Sequence, residues 1–290
     1  MDVKKSERHD EHALVSPSSL ARTAACPASL MINKNAGSNE TAYTLEGTRA
    51  HMVAEYFARE ALGLPAIMKF EEIPDKTKEM VRYGMDYAKF AYMIKATMEA
   101  TSSLPVAAYC ERKVSCEPVI PECWGTADLM FVGSDRISVA DYKFGANKVE
   151  VLGNFQLKAY ALGAYLSLTE KERAGVTYVD TYIFQPRANF LKDGKPEKGY
   201  FGVTSYSVKE LFNWAKVITP TVLKAIDGVD ERLGGDHCMF CAAKGSCEMA
   251  LNYKKDFKAS LAAEEEAQDV SLADAYQQGG DDLDTPTYSL

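Results

Sequence analysis

No apolar run in this sequence reaches the roughly 20 residues needed to span a bilayer, so an integral membrane protein is not expected. The first twelve residues, Met1 to His12, are charged throughout and lack the apolar segment of a secretory signal. The seven cysteines are therefore not read as a disulfide framework. In a reducing compartment, clustered cysteines bind metal or do redox chemistry, and a cytoplasmic protein is expected. There is no Walker A motif, which leaves any ATP-driven unwinding to a partner, and no internal repeat. Positive charge is in deficit, 33 Lys and Arg against 41 Asp and Glu, a net −8. That argues against wholesale coating of nucleic acid. A local basic groove can still coexist with an acidic remainder, and acids filled by divalent cations carry more positive charge in use than the formula counts.

What is present is 290 residues, 47% hydrophobic and 26% charged, enough for one substantial core with a small appendage. A first helix is expected from Ser16-Pro17, with serine as N-cap, through Leu20, Ala24 and Leu30. A polar loop follows from Asn33 to Asn39. A second helix should run from Thr44 to Leu62 and stop at Gly63. A third covers Asp75 to Thr101, with Val81, Met85, Ala88 and Tyr92 as its apolar stripe. Strands are then expected at Ala107–Ser115, Gly125–Val132 and Ile137–Lys143, the last two joined by a tight turn at Gly133 to Arg136. Asn154–Leu168 reads as helix, Val176–Gln185 as strand, Asn189–Gly199 as a polar loop, Tyr200–Tyr206 as strand and Ser207–Ile226 as helix. The order implies a mixed α/β fold, a central mixed sheet flanked by helices. Residues 1–15 are expected to be flexible, 16–258 to form one domain with its cysteine cluster, and 259–290 to be an acidic, disordered tail.

The most informative segment is Gly125 to Lys143. Alternation along a strand puts Asp141 and Lys143 on one face. If Ser134-Asp135 is a two-residue turn, Asp128 lies directly across from Asp141. Facing like charges destabilise a hairpin, and a bound cation is the simplest compensation. Hard oxygen ligands favour Mg²⁺ or Mn²⁺. Such an ion polarises a scissile phosphate and lowers the pKa of bound water, with Lys143 beside it to orient water or stabilise charge. The plain alternative is two surface carboxylates, one paired with Lys143; a turn one residue longer would also point Asp128 away.

Four motifs occur in order: Gly47-Thr48-Arg49-Ala50-His51, Gly125-Thr126-Ala127-Asp128, Asp141-Tyr142-Lys143 and Gln156-Leu157-Lys158-Ala159-Tyr160. This series resembles the RecB-like nucleases of the PD-(D/E)XK superfamily, over Ser16 to Cys247. The resemblance implies a restriction-endonuclease-like core in which His51, Asp128 and Asp141 bind metal, Asp128, Asp141 and Lys143 are catalytic, and Gln156 and Tyr160 line the nucleic-acid path. Helical spacing agrees, since Gln156 and Tyr160 share a face, as do His51 and Glu55. Alone, His51 could be a satisfied, partly buried histidine, and Tyr160 could be core packing beside Leu162 and Tyr165. Glu111, on the strand before the hairpin, is either an accessory acid or a solvated or paired side chain.

The second cluster is Cys238-Met239-Phe240-Cys241 followed by Cys247. The two-residue spacing lets both sulfurs turn toward one metal, and the fourth ligand could be Cys26. Zinc, completed by His237 or Cys26, competes with an iron–sulfur cluster. Cys110, Cys116 and Cys123 lack such spacing and read as core thiols. The set is similar to the AddB-type and CRISPR-associated iron–sulfur exonucleases, with one cysteine before the nuclease motifs and three after. That likeness implies a [4Fe–4S] cluster on Cys26, Cys238, Cys241 and Cys247. Joining them would close a loop of roughly two hundred residues and remove unfolded-state entropy.

The reading that follows is a metal-dependent DNA exonuclease acting on single strands or resected duplex ends in phage recombination, replication or repair, in a bacterial or phage-infected cell. The acidic tail could dock a recombination or single-strand-binding protein; no membrane partner is expected. The rivals are a DNA-binding scaffold that keeps the fold and an iron–sulfur electron-transfer protein. Arg49, Lys148, Lys158 and Arg187 are candidate phosphate-tracking cations.

Overall fold

The computed structural model describes residues 13–37 and 41–260. The expectations for residues 1–12 and for the acidic stretch from 261 onward lie outside them. The chain divides into two compact units, 1–231 and 232–290. Among the described residues no helix is long and apolar enough to cross a membrane.

The first unit is mixed α/β. Helices α1 (Leu20–Ala25), α2 (Ala28–Ala36), α3 (Ala42–Leu62) and α4 (Lys78–Glu99) precede strands β1 (Ala107–Ser115), β2 (Trp124–Val132) and β3 (Arg136–Tyr142). Helix α5 (Phe155–Leu166) and the short α6 (Glu170–Arg173) lead to β4 (Tyr178–Lys192), β5 (Lys195–Ser207) and α7 (Val208–Ile226). The five strands form one sheet in the order β1-β2-β3-β4-β5. Only β3 and β4 run parallel; the crossover between them contains α5, as a parallel pair requires. One face of the sheet packs Met130, Val132, Ile137 and Val139 against Leu162 of α5 and Leu211, Ile218 and Val222 of α7. The other packs Leu129, Phe131, Ala140 and Tyr142 against Val53 of α3 and Tyr87, Phe90 and Ile94 of α4. The sheet is thus covered by helices on both sides.

Several boundaries differ from the sequence expectation, each for a local reason. The single first helix is two, because Pro27 pushes Cys26 into the extended region (φ −147°, ψ 97°) and α1 stops there. Helix α2 then continues to Ala36, through most of the expected polar loop. In α4 the expected stripe is displaced. Met85 and Tyr92 are exposed, while Met80, Tyr83, Tyr87, Phe90, Ala91 and Ile94 are buried. Of the expected stripe, Ala88 is buried and Val81 partly so, and the face toward the sheet mixes aromatic with aliphatic side chains. The expected polar loop 189–199 is a hairpin extension of β4 and β5, turned by Asp193 (φ 50°) and Gly194 (φ 75°), the Asp-Gly pair that a two-residue hairpin favours. Val15, inside the stretch expected to be flexible, is fully buried and bridged to Cys123.

In the second unit a short 3₁₀ segment, Asp236–Phe240, carries Cys238, and residues 248–260 are helical. Cys241 N–H donates to the Cys238 carbonyl at 3.1 Å and Cys247 N–H to the Ala243 carbonyl at 2.8 Å. Gly234 lies so close to Met249 that a Cβ would sit 2.6 Å from its carbonyl oxygen.

Candidate active site

The β2–β3 hairpin closes through Ser134-Asp135, with Gly133 N–H donating to the Arg136 carbonyl at 2.9 Å. Its ladder pairs Val132 with Ile137 and ends at Leu129 with Ala140. One step further in this register stand Asp128 and Asp141, directly opposed. On the other side of β2, Cys110 pairs with Leu129 and Arg112 with Ala127, which sets Glu111 opposite Asp128. Glu111, Asp128 and Asp141 therefore form a row of carboxylates across three adjacent strands.

Strict alternation fails at this row. In β1, Ala108 and Cys110 pack toward α3 and α4, but Val114 packs toward α5. In β2, Leu129 and Phe131 face α3 and α4, but Ala127 faces α5. Both strands change face between one side of the row and the other. Glu111 makes the turn in β1 with a left-handed φ of 50°. Because both strands invert together, their register does not shift, and the Asp128 carboxylate is freed from either face. Its Oδ2 accepts from the Tyr142 N–H of the neighbouring strand at 2.6 Å, in place of a ladder bond.

Two further elements close on the row. Helix α3 starts from a Thr41–Thr44 capping box and ends at Gly63 in the left-handed region. It places His51 Nδ1 3.5 Å from Asp128 Oδ2. Helix α5, capped by Asn154, brings Gln156 and Tyr160 from the opposite face. Lys143 Nζ lies 2.8 Å from Asp141 Oδ2 and donates to Gln156 Oε1 at 2.9 Å. Gln156 Nε2 donates to Asp141 Oδ1 at 2.9 Å and reaches the Tyr160 hydroxyl at 3.3 Å. One neutral amide thus holds the acid and the ammonium of the Asp-x-Lys pair in fixed relation.

The site's electrostatics follow from burial and crowding. Desolvation pushes Asp128 up to about 6, with the Asp141 charge adding to the rise and His51, the Tyr142 N–H and Lys143 opposing it. Glu111 is raised too, first by desolvation and then by the Asp128 and Glu55 carboxylates. Burial alone would lower Lys143, but Asp141 overcomes it and the ammonium is favoured. These are the shifts expected where carboxyls are buried close together and only partly offset by nearby cations.

The residues fit a hard divalent cation. One ligand atom each from His51, Glu111 and Asp128 lie within 4.8 Å of one another. Asp141 Oδ2 is buried, and its close contact is the Lys143 ammonium at 2.8 Å. The carboxylate donors suit Mg²⁺ or Mn²⁺, and the imidazole, a softer donor, weights the set toward Mn²⁺.

Of the residues singled out from sequence, His51, Asp128, Asp141, Lys143, Gln156 and Tyr160 all come together here. Two details differ. Glu111, rather than Asp141, completes the closest group of ligand atoms with His51 and Asp128. Tyr160 is only 8% exposed and contacts Gln156, so it braces the cluster from within rather than lining an open path. Three of the four basic residues considered for phosphate tracking are engaged with acids: Arg49 with Asp75 at 2.9 Å, Lys148 with Glu150 at 2.7 Å and Arg187 with Glu46 at 2.9 Å. The fourth, Lys158, lies over the Tyr206 and Trp214 rings. Cys110, Cys116 and Cys123 are buried in the first unit, as is Cys26. Of the two readings open for Glu111, its place opposite Asp128 favours the accessory acid; that register is concealed in the sequence by the irregular segment between Cys116 and Cys123.

Fold and site together define a mixed α/β protein with an imidazole, three carboxylates and an ammonium gathered where the ladder of one β-hairpin ends. The chain belongs to the family described as a protein of unknown function, DUF2800, whose model matches residues 12–283.

Proposed function

We propose that this protein is a divalent-cation-dependent DNA nuclease, an exonuclease acting on single-stranded or resected ends in phage recombination, replication or repair. The observation that carries the reading is the Asp141–Lys143–Gln156 arrangement beside Asp128 and His51. Four ionisable groups crowded together, with a buried acid driven toward protonation, is the pattern that functional sites concentrate. By the resemblance to RecB-like nucleases, His51, Asp128 and Asp141 would hold Mg²⁺ or Mn²⁺, which supplies Lewis acidity at the scissile phosphate when bound. The chain's own contribution is positional and electrostatic. Lys143, kept charged by Asp141, presents an ammonium where negative charge develops on the phosphate oxygens or where a water must be oriented. Gln156 fixes that ammonium, and Tyr160 fixes Gln156.

The cysteine spacing supports a [4Fe–4S] cluster on Cys238, Cys241 and Cys247 with Cys26 as fourth ligand, zinc being the alternative. A cytoplasmic location belongs to the same reading. The test is digestion of end-labelled single- and double-stranded DNA with Mg²⁺, Mn²⁺ or EDTA. Metal-dependent shortening, lost on Asp141→Ala, is expected; wild-type cleavage by Asp141→Ala would refute the assignment.

A further inference from the structure

Glu111 is one of four non-glycine residues at positive φ among those described. Asp75, Glu122 and Asp193 lie in connections, whereas Glu111 lies inside strand β1. A strand interior gives no local reason for a left-handed glutamate. Such strain is kept where the surroundings over-determine it, and it collects at ligand sites. The conformation turns the Glu111 carboxylate toward two groups that it would otherwise avoid or miss: its oxygen, an Asp128 oxygen and a His51 ring nitrogen are mutually within 4.8 Å. Two carboxylates this close repel unless something positive lies between them. Arg59, a cation whose charge acts on Glu111, is already bound to Glu55 at 2.8 Å.

A second observation points into the same space from the α4 side. Tyr87 is buried beside Tyr142, the residue whose N–H holds Asp128, and its hydroxyl makes no hydrogen bond; besides burial, the Asp128 and Asp141 carboxylates are the main groups that disfavour its ionisation. An enclosed hydroxyl without a partner is costly. A water carried by a cation at the row would supply one. Glu111 is exposed as a whole residue although its carboxyl is drawn in among the other acids, so the row opens to solvent on the β1 side, where an ion can arrive.

From this geometry we infer that Glu111 is a protein ligand of the divalent cation, sharing it with His51 and Asp128, with Tyr87 donating to a water of that ion. The inference rests on the divalent-cation part of the proposed function and adds a ligand that the four sequence motifs do not contain.

Mn²⁺ binding to the full-length protein, followed by calorimetry and by the metal-induced rise in Tm, tests it without reference to cleavage. Glu111→Gln is expected to weaken Mn²⁺ binding at least about tenfold, the scale on which even outer-sphere partners act. The metal-free variant should melt no lower than wild type, since a like charge is removed. Glu111→Gly, which suits the left-handed backbone, should lose binding in the same way and guards against a folding defect in the first variant. Tyr87→Phe should keep the fold and weaken binding less than either. If both Glu111 variants bind Mn²⁺ as wild type does, Glu111 is no ligand, while the nuclease reading stands. If wild type itself takes up no Mn²⁺, the inference and the metal-dependent reading fall together.

Discussion

Gln156 carries no charge, yet it touches both charged members of the Asp-x-Lys pair and the tyrosine one turn further on. Its role is to position, so Gln156→Ala should lower kcat by roughly 10- to 100-fold with KM little changed. Lys143→Ala removes the ammonium itself and should cost about 10²- to 10³-fold or more, with thermal stability retained, as steady-state assays and unfolding curves would show. Asp128 gives a pH signature. Its folded pKa, about 6, lies above its ordinary value, so the folded state holds this proton more tightly than the unfolded chain. Its stabilising contribution is complete in acid and is lost as pH rises through about 6. In EDTA, Tm of the wild type should therefore decline across that interval relative to Asp128→Asn. With Mn²⁺ present the trend should reverse, because the ligand form is the carboxylate.

At the scale of elements, the paired inversion of β1 and β2 at Glu111 and Asp128 builds the site. A regular hairpin would have pointed Asp128 into the α5 face and away from His51 on α3. Contacts at the strand start hold this geometry. A Cβ on Gly125 would lie 2.8 Å from Pro17 Cγ and Cδ and 3.2 Å from the Tyr160 ring. Gly125→Ala should therefore destabilise the fold by about 1–3 kcal/mol and also disturb Gln156 through Tyr160. Urea denaturation and activity should fall together; an unchanged midpoint would show that the α1 entrance yields without cost. Helix α5 is pressed as closely on β1 at Gly163, where a Cβ would meet Ser115 N and Val114 at 3.2 Å. The elements that carry Gln156 and Glu111 are thereby locked against each other.

For the whole molecule, the carboxylate row and Cys26 lie in residues 1–231, and Cys238, Cys241 and Cys247 lie in 232–290. If the cysteines hold an iron–sulfur cluster, anaerobically purified protein should be brown, and Cys241→Ser should lose colour and iron while Mn²⁺ binding at the row persists. A colourless wild type with stoichiometric zinc would replace the cluster with a zinc site. Colour intact in Asp141→Ala would show the converse independence.

The sequence by itself determined the mixed α/β class, the hairpin register and most of the site. Those follow from short-range rules: a two-residue turn fixes which residues oppose, and helical spacing fixes which share a face. Helix α3 could be read to its last residue because Gly63 ends it in the left-handed region. The buried face of α4 is not legible in the sequence because apolar residues occur around the helix, and the sheet beneath selects the face that carries Met80, Tyr83, Tyr87, Phe90 and Ile94. The role of Glu111 is not legible locally for a similar reason. Its place opposite Asp128 depends on a long-range pairing across an irregular connection, and its turned backbone is imposed by neighbours rather than favoured by glutamate. Local propensity fixes elements; the packing of α3 and α5 on opposite faces of one sheet decided which side chains could meet.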